Sequence, residues 1–195
     1  LAALPTLAAG FLPAVLADYR KRYPNIAISV HDTLANQVDD LVSDRRADIG
    51  FSVRPSRAEA THFEPLVEDH FVAVCPLGHP LLDKERVRWE ELLAYPIIAV
   101  SRLSSTRQAI EGVLRELNQE IGTAGRMVAA GLGVTALPSL SFKQISAEGV
   151  GWRPLTTPHV PRTLGSITPI RIPLSAAANA MLDVVREHAA RMKPL

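Results

Sequence analysis

The residues of this chain that could do chemistry are mainly hydroxyls placed at turns. Thr6, Thr33, Ser101, Ser104 and Thr123 each stand beside the start of a helical pattern or the end of an extended apolar run. A hydroxyl next to the free N–H groups of a helix N-terminus makes a ready site for a carboxylate or other small anion. The same residue types also cap helices with no ligand, and at Thr123 the sequence leaves both roles open. Catalysis finds less support. A nucleophilic Ser101, Ser104 or Ser105 needs a base within reach, and His79 or His159 would have to arrive through folding alone. No Gly-x-Ser-x-Gly elbow, phosphate-binding loop or dinucleotide fingerprint is present. The chain is therefore expected to be a binder rather than an enzyme, with neither cofactor nor metal. His79 sits in a Gly78-His-Pro turn without a second ligand nearby, and His188 falls on the packed side of the last helix. Both read as structural. The single cysteine, Cys75, lies in the apolar run Phe71-Val-Ala-Val-Cys75, where a small core residue is expected. One cysteine rules out an internal disulfide and a cysteine-rich metal site.

The elements that must position these residues follow from periodicity. Thr6 heads a helical stripe of Leu7, Phe11, Val15 and Tyr19, which ends at Tyr23-Pro24. Alternation at Ile26, Ile28 and Val30 predicts a strand over 26–30. Thr33 then N-caps a helix marked by Leu34, Val38, Leu41 and Val42, and residues 48–53 form the next strand. Helix, strand, helix, strand with short links is the rhythm of a doubly wound parallel sheet. Residues 54–61 are polar and proline-interrupted, a crossover loop. The extended run 63–76 is longer than one small sheet needs, so it is expected to leave one domain and enter another. Trp89, Leu92 and Leu93 mark a short helix, 96–100 a buried strand, and Ile110, Val113, Leu114 and Leu117 another helix. Arg126-Met-Val-Ala-Ala-Gly-Leu-Gly-Val-Thr-Ala-Leu-Pro138 reads as a helix fed through a left-handed turn at Gly131 and Gly133 into a buried strand. Residues 162–168 form a return strand, and Ser175 caps a closing helix that buries Met181, Leu182 and Val185.

The totals narrow the class. With 195 residues, 47% hydrophobic content and a net charge of +1, the chain is an ordinary globular protein without a basic face for nucleic acid. No apolar run is long enough to span a membrane and no signal peptide is visible, so a cytoplasmic location is expected. Residues 1–5 read as the end of a strand, which predicts a piece of a longer protein.

Four patches in order over nearly the whole chain then resemble the effector-binding domain of LysR-type transcriptional regulators. They are Pro5-Thr-Leu…Leu12-Pro…Tyr23-Pro24, Ala47-Asp-Ile-Gly50, Gly78-His-Pro-Leu81 and Ala130-Gly-Leu-Gly-Val…Leu137-Pro138. The resemblance implies an α/β fold of two Rossmann-like subdomains joined by two crossover strands, like a type II periplasmic binding protein. Subdomain I is expected from 1–66 and 164–195, subdomain II from 67–163, and a winged helix-turn-helix upstream of Leu1. It also implies a small, anionic metabolite in the cleft between subdomains, held by Thr6, Leu7, Thr33, Ser101, Leu103, Ser104 and Thr123. Open parallel sheets bind ligands at these carboxyl ends of strands. DNA would be met only through the upstream domain, and a homo-oligomer, dimer or tetramer, is expected. Its surfaces would be the first helix near Val15 and Tyr19 and the helix of residues 106–118.

One departure from the pattern stands out. A strand is expected between the helix through Leu117 and the one near Thr123, yet residues 118–122 are too few to supply it with its turns. On the order of ten residues are therefore expected to be absent between Glu120 and Ile121. The alternative function is a free-standing solute-binding protein of a transporter, which would carry an export signal upstream of Leu1.

Overall fold

The computed structural model describes residues 1–55, 60–98, 105–116, 133–142 and 149–192. Ser101, Leu103, Ser104 and Thr123 lie outside these residues, as do Glu120 and Ile121 with the expected gap. The chain forms two compact units, Leu1–Glu68 with Arg162–Leu195, and Asp69–Pro161.

The first unit holds β1 (Ala2–Ala3), α1 (Pro5–Gly10), α2 (Leu12–Arg22), β2 (His31–Asp32), α3 (Ala35–Ser43), β3 (Gly50–Val53) and β4 (Thr61–Asp69). After the second unit, β8 (Arg162–Pro169) and α7 (Ala176–Ala189) return to it. Its sheet runs β2-β1-β3-β8-β4. β1 pairs in parallel with both β2 and β3, while β8 runs antiparallel to β3. Two glycines let the layers close. A Cβ on Gly50 would lie 2.7 Å from Val38 Cγ1, so α3 packs directly on β3. A Cβ on Gly165 would lie 2.3 Å from the Glu64 carbonyl and 2.5 Å from the Phe63 ring, which occupies that space.

The second unit holds β5 (Phe71–Pro76), a 3₁₀ turn (Pro80–Asp83), α4 (Trp89–Leu93), α5 (Ser105–Glu116), β6 (Thr135–Pro138), α6 (Ser139–Phe142) and β7 (Val150–Pro154). β5 lies between β6 and β7, antiparallel to both. Ile97 adds a parallel bridge to Val134. The core gathers Phe71, Cys75, Trp89, Ile110 and Val134, with Phe71 edge-on to Trp89 at 5.7 Å.

Several local expectations are corrected. The helix predicted from Thr6 to Tyr23 is two helices, broken at Phe11. Pro13 has no N–H for the Ala9 carbonyl, and its ring cannot follow an unbroken helix there. The strand predicted over 26–30 is confined to His31–Asp32, because only these residues find ladder partners on β1. Gly133 is not one of the described residues in the left-handed region. Its role is close approach instead, since a Cβ there would meet the Pro96 carbonyl at 2.5 Å. Val15 and Tyr19 are 0% and 1% exposed, so they are core and offer no surface to a partner.

The closing helix is fixed to α2 by polar contacts. The Tyr19 hydroxyl donates to the Ala177 carbonyl at 2.9 Å, and His188 Nε2 meets Asp18 Oδ2 at 2.8 Å. Arg22 donates to both carboxylate oxygens of Glu187 at 3.0 and 2.6 Å. Arg186 reaches across to Glu64 on β4, with both bonds at 2.8 Å. Hydrogen bonds from His188 and then Lys21 hold the Asp18 carboxyl below its ordinary value. Arg22 does the same for Glu187, and Arg186 for Glu64. A carboxyl lowered in the folded state adds stability above its ordinary value, and that stability is lost as pH falls through the lowered one. The ordinary values are 3.8 and 4.5, so the thermal midpoint should be level above about pH 5 and fall steadily below it. In Asp18→Asn the fall should be shallower and the neutral-pH midpoint lower. Scanning calorimetry across this range checks it, and an unchanged acid limb in the variant counts against the role of the pair.

Candidate functional site

The site begins where parallel strands end. Leu4 N–H donates to the Phe51 carbonyl at 2.9 Å, and Thr33 N–H donates to the Ala3 carbonyl at 3.0 Å. The carboxyl ends of β1, β2 and β3 are thereby locked side by side, and β1 and β2 turn at once into α1 and α3. The hydroxyls do not cap these helices, which corrects the sequence reading. The N-caps are Leu4 and Leu34, neither with a side-chain cap bond. Pro5 at the first position of α1 has no N–H to satisfy and a backbone already set for the helix, so Thr6 falls one place inside it.

Thr6 is 8% exposed and already engaged within the protein. Leu7 is 3% exposed, so its side chain belongs to the core. Thr33 is half-buried, with its Oγ hydrogen-bonded to the Gln37 side chain. That side chain faces a groove of about 620 Å³ also lined by Asp32, Asp40, Asp44 and Arg46. Three carboxylates against one guanidinium make that groove a poor host for an anion.

Sequence reasoning placed Arg54 in a crossover loop, yet it stands at the carboxyl end of β3. Its guanidinium lies 4.6 Å over the Phe63 ring. Among the described residues no carboxylate pairs with it. The ring is there because Gly165 leaves room for it, a tertiary fact with no local signature. Ser52, two residues earlier, is fully buried with no hydrogen-bond partner for its hydroxyl among the described residues.

In the second unit the backbone around 96–98 runs beside β6. Ile98 N–H donates to Val134 O at 2.8 Å, Val134 N–H to Pro96 O at 2.9 Å, and Thr135 Oγ to Ile98 O at 2.7 Å. The carboxyl end of β6 is fixed by Asp69, whose Oδ1 accepts from Ser139 Oγ at 2.8 Å and from His70 N–H at 2.9 Å. This buried carboxylate was not singled out from the sequence, because its partner is 70 residues away.

His79 is structural, as expected: its Nδ1 accepts from Leu81 N–H at 3.2 Å and its ring stands edge-on to Tyr95. Among the described residues, no three His, Cys, Asp or Glu side chains are grouped to hold a metal ion, and no helix is long and apolar enough to cross a membrane.

The LysR substrate binding domain family matches residues 1–190. The chain belongs to that family. Its sequence is 32% identical over 187 residues to the uncharacterised HTH-type transcriptional regulator YbhD of Escherichia coli K12, covering 91% of this chain and 59% of that protein. The chain thus spans about three-fifths of the length of the curated relatives it matches. Its fold matches the regulatory domain of CcmR from Synechocystis PCC6803 in complex with 2-PG, with a TM-score of 0.85 at 18% identity over 100% of this chain and 97% of that one. It also matches the BenM effector binding domain with its effector benzoate, with a TM-score of 0.84 at 18% identity over 97% and 90%. The fold is that of a LysR effector-binding domain.

Cys75 is 0% exposed, and burial pushes its thiol up to about 11 against a smaller opposing pull from Arg153. Reactivity follows the thiolate, which is scarce at neutral pH in such surroundings. A thiol reagent such as dithionitrobenzoate should therefore leave the native protein unlabelled and modify one thiol after unfolding. Rapid native labelling would refute the packing assigned to Cys75.

Proposed function

We propose that this chain is the effector-sensing domain of a LysR-type transcriptional regulator, binding a small anionic metabolite without changing it. The observation that carries the reading is the family match over residues 1–190. The CcmR and BenM domains, solved with 2-PG and with benzoate, support a small carboxylate as the ligand class. The proposed site is Thr6, Leu7, Thr33, Ser101, Leu103, Ser104 and Thr123. Leu7 contributes backbone alone, and Arg54 adds the positive charge that the other residues lack. The relatives regulate transcription, so DNA binding is assigned to a part of the protein outside this chain. Transport of a solute has no comparable support.

A panel of small carboxylates beginning with benzoate tests the reading by thermal shift, because a ligand of the folded state raises the midpoint. Losing one hydrogen bond to a charged group costs about 1.5 kcal/mol. Thr6→Val, Thr33→Val and Arg54→Gln should each weaken the responding carboxylate about tenfold. If no carboxylate shifts the midpoint, or all three variants bind it as the parent does, the site assignment fails.

We further propose a homodimer that uses the outer face of α2. A groove of about 710 Å³ there is lined by Pro13, Leu16, Ala17, Arg20, Ile26 and Val30, and Val30 is 39% exposed. This surface replaces Val15 and Tyr19 of the sequence reading. Leu16→Glu with Val30→Glu should raise the dimer dissociation constant at least tenfold in sedimentation, while circular dichroism stays unchanged. A parent protein that remains monomeric at high concentration would refute the dimer.

A further inference from the structure

A groove of about 270 Å³ opens on the first unit, at the end of its sheet opposite the carboxyl ends of β1 and β3. β8 runs antiparallel to β3 with Gly50 opposite Ile167, so the residues before β3 and those after β8 meet at that end. Ile170 N–H donates to the Ala60 carbonyl at 3.1 Å, which ties the approach to β4 to the same place. The groove is lined by Ser43, Arg45, Ala60, Pro169, Arg171 and Ile172. Two guanidiniums and a hydroxyl therefore face it, with no carboxylate among the lining residues.

The arginines neither finish a helix nor pair with acids. Basic residues beside a helix C-terminus ordinarily serve its last carbonyls. At the end of α3 the backbone already does so. Asp44 N–H donates to the Asp40 carbonyl at 2.8 Å and Arg45 N–H to that of Val42 at 3.1 Å. Arg46 and Ala47 N–H both donate to that of Leu41, at 2.8 and 2.9 Å. Among the described residues neither Arg45 nor Arg171 has an ion-pair partner, whereas Arg22 and Arg186 are held by Glu187 and Glu64. Arg45 also occupies a backbone that suits it badly. Its φ is +60°, and among the described residues it is the one non-glycine residue with positive φ. A Cβ crowds the backbone in that left-handed region, which favours glycine. Stability alone selects glycine at 45, and the arginine is instead explained by its head group.

We propose that this groove is a binding site for a small molecule carrying a phosphate monoester, held between Arg45 and Arg171 with the Ser43 hydroxyl as a further donor. The charge count decides the class. Two guanidiniums match a dianion, and the planar fork of each fits two phosphate oxygens at once. A monocarboxylate would leave one guanidinium uncompensated, which separates this groove from the effector site proposed above. Pro169 and Ile172 add walls without polar side-chain atoms, and charged contacts strengthen where such walls exclude water. A small concave groove also suits a free ligand better than the backbone of a nucleic acid. Arg45 lies in the link from α3 to β3 and Arg171 in the link from β8 to α7. The bound phosphate ties these two links together.

Calorimetric titration of ethyl phosphate at constant ionic strength tests it. The parent protein should bind, and Arg45→Gly and Arg171→Gln should each weaken binding about tenfold, the loss of one charged contact. Arg45→Gly should do so without lowering the ligand-free thermal midpoint, because glycine accepts the left-handed turn. Arg86→Gln, a charge control on the second unit, should bind as the parent does. Affinity should also fall below about pH 6, where a monoester loses its second charge. No binding by the parent, or equal binding by both groove variants, overturns the proposal. A lowered midpoint in Arg45→Gly would make that side chain structural and overturn its role. An equal loss in Arg54→Gln would assign the phosphate to the carboxyl end of β3 and overturn the site. A random-sequence DNA duplex whose binding needs both arginines, where ethyl phosphate does not bind, would assign the groove to a nucleic-acid backbone and overturn it too.

Discussion

The first unit depends on two alanines that share backbone hydrogen bonds with strands on both sides. Ala2 and Ala3 are 0% exposed and pair with β2 and β3 in one register, Ala3 opposite both Asp32 and Phe51. A parallel strand cannot be joined to its neighbours by tight turns, so its position is fixed by the ladder and by the helices that close over it. Shifting β1 by one residue would send Ala2 out of the cluster it forms with Val38 and Val42. It would also move the start of α1 relative to the start of α3. The relative placement of the α1 and α3 starts is therefore a consequence of register.

Glycine does the complementary work where backbone or ring must come close. Gly50 admits α3 onto the sheet, Gly165 admits the Phe63 ring, and Gly133 lets β6 approach the backbone at Pro96. At Gly133 and Gly165 the obstacle to a side chain comes from an element distant in sequence. Gly165 has the longest consequence. Its missing side chain seats Phe63, and the Phe63 ring supports the Arg54 guanidinium at the carboxyl end of β3. A cation stacked on a ring keeps its outer edge free for hydrogen bonding, which is the geometry a carboxylate ligand requires.

Most of the fold was legible in the sequence because its signals are local. The Ser175 hydroxyl accepts from Ala178 N–H at 3.1 Å as a cap residue should, and Met181, Leu182 and Val185 are buried at helical spacing. Cys75 is core. What escaped was set by neighbours in space. Pro13 falls within the helical stripe, and the break at Phe11 shows which carbonyl it leaves without a donor. Thr6 and Thr33 looked like caps because threonine caps helices, but Pro5 and the ladder bond from Thr33 to Ala3 move the caps to Leu4 and Leu34. Alternation at Ile26, Ile28 and Val30 records two-faced packing but cannot say which residues have a strand to pair with. Asp69 and Arg54 carried no local pattern at all, since their partners are Ser139 and Phe63.

Among the described residues, paired charges serve mainly to hold elements together. The titrating groups held away from their ordinary values are mostly carboxylates and guanidiniums joined in pairs along α2, α7 and β4, which serve to fix helices. Hydrolytic or transfer chemistry instead needs a base and a nucleophile within reach of one another, with environments that push their values apart. The strand ends offer backbone N–H groups, hydroxyls and one stacked guanidinium. Such groups are suited to recognising charge and shape. A binding site of this kind signals only if occupancy alters the backbone that carries it. Here Thr33 is bonded to Ala3 and Leu4 to Phe51, so these turns and the register of β1 are held by the same backbone bonds.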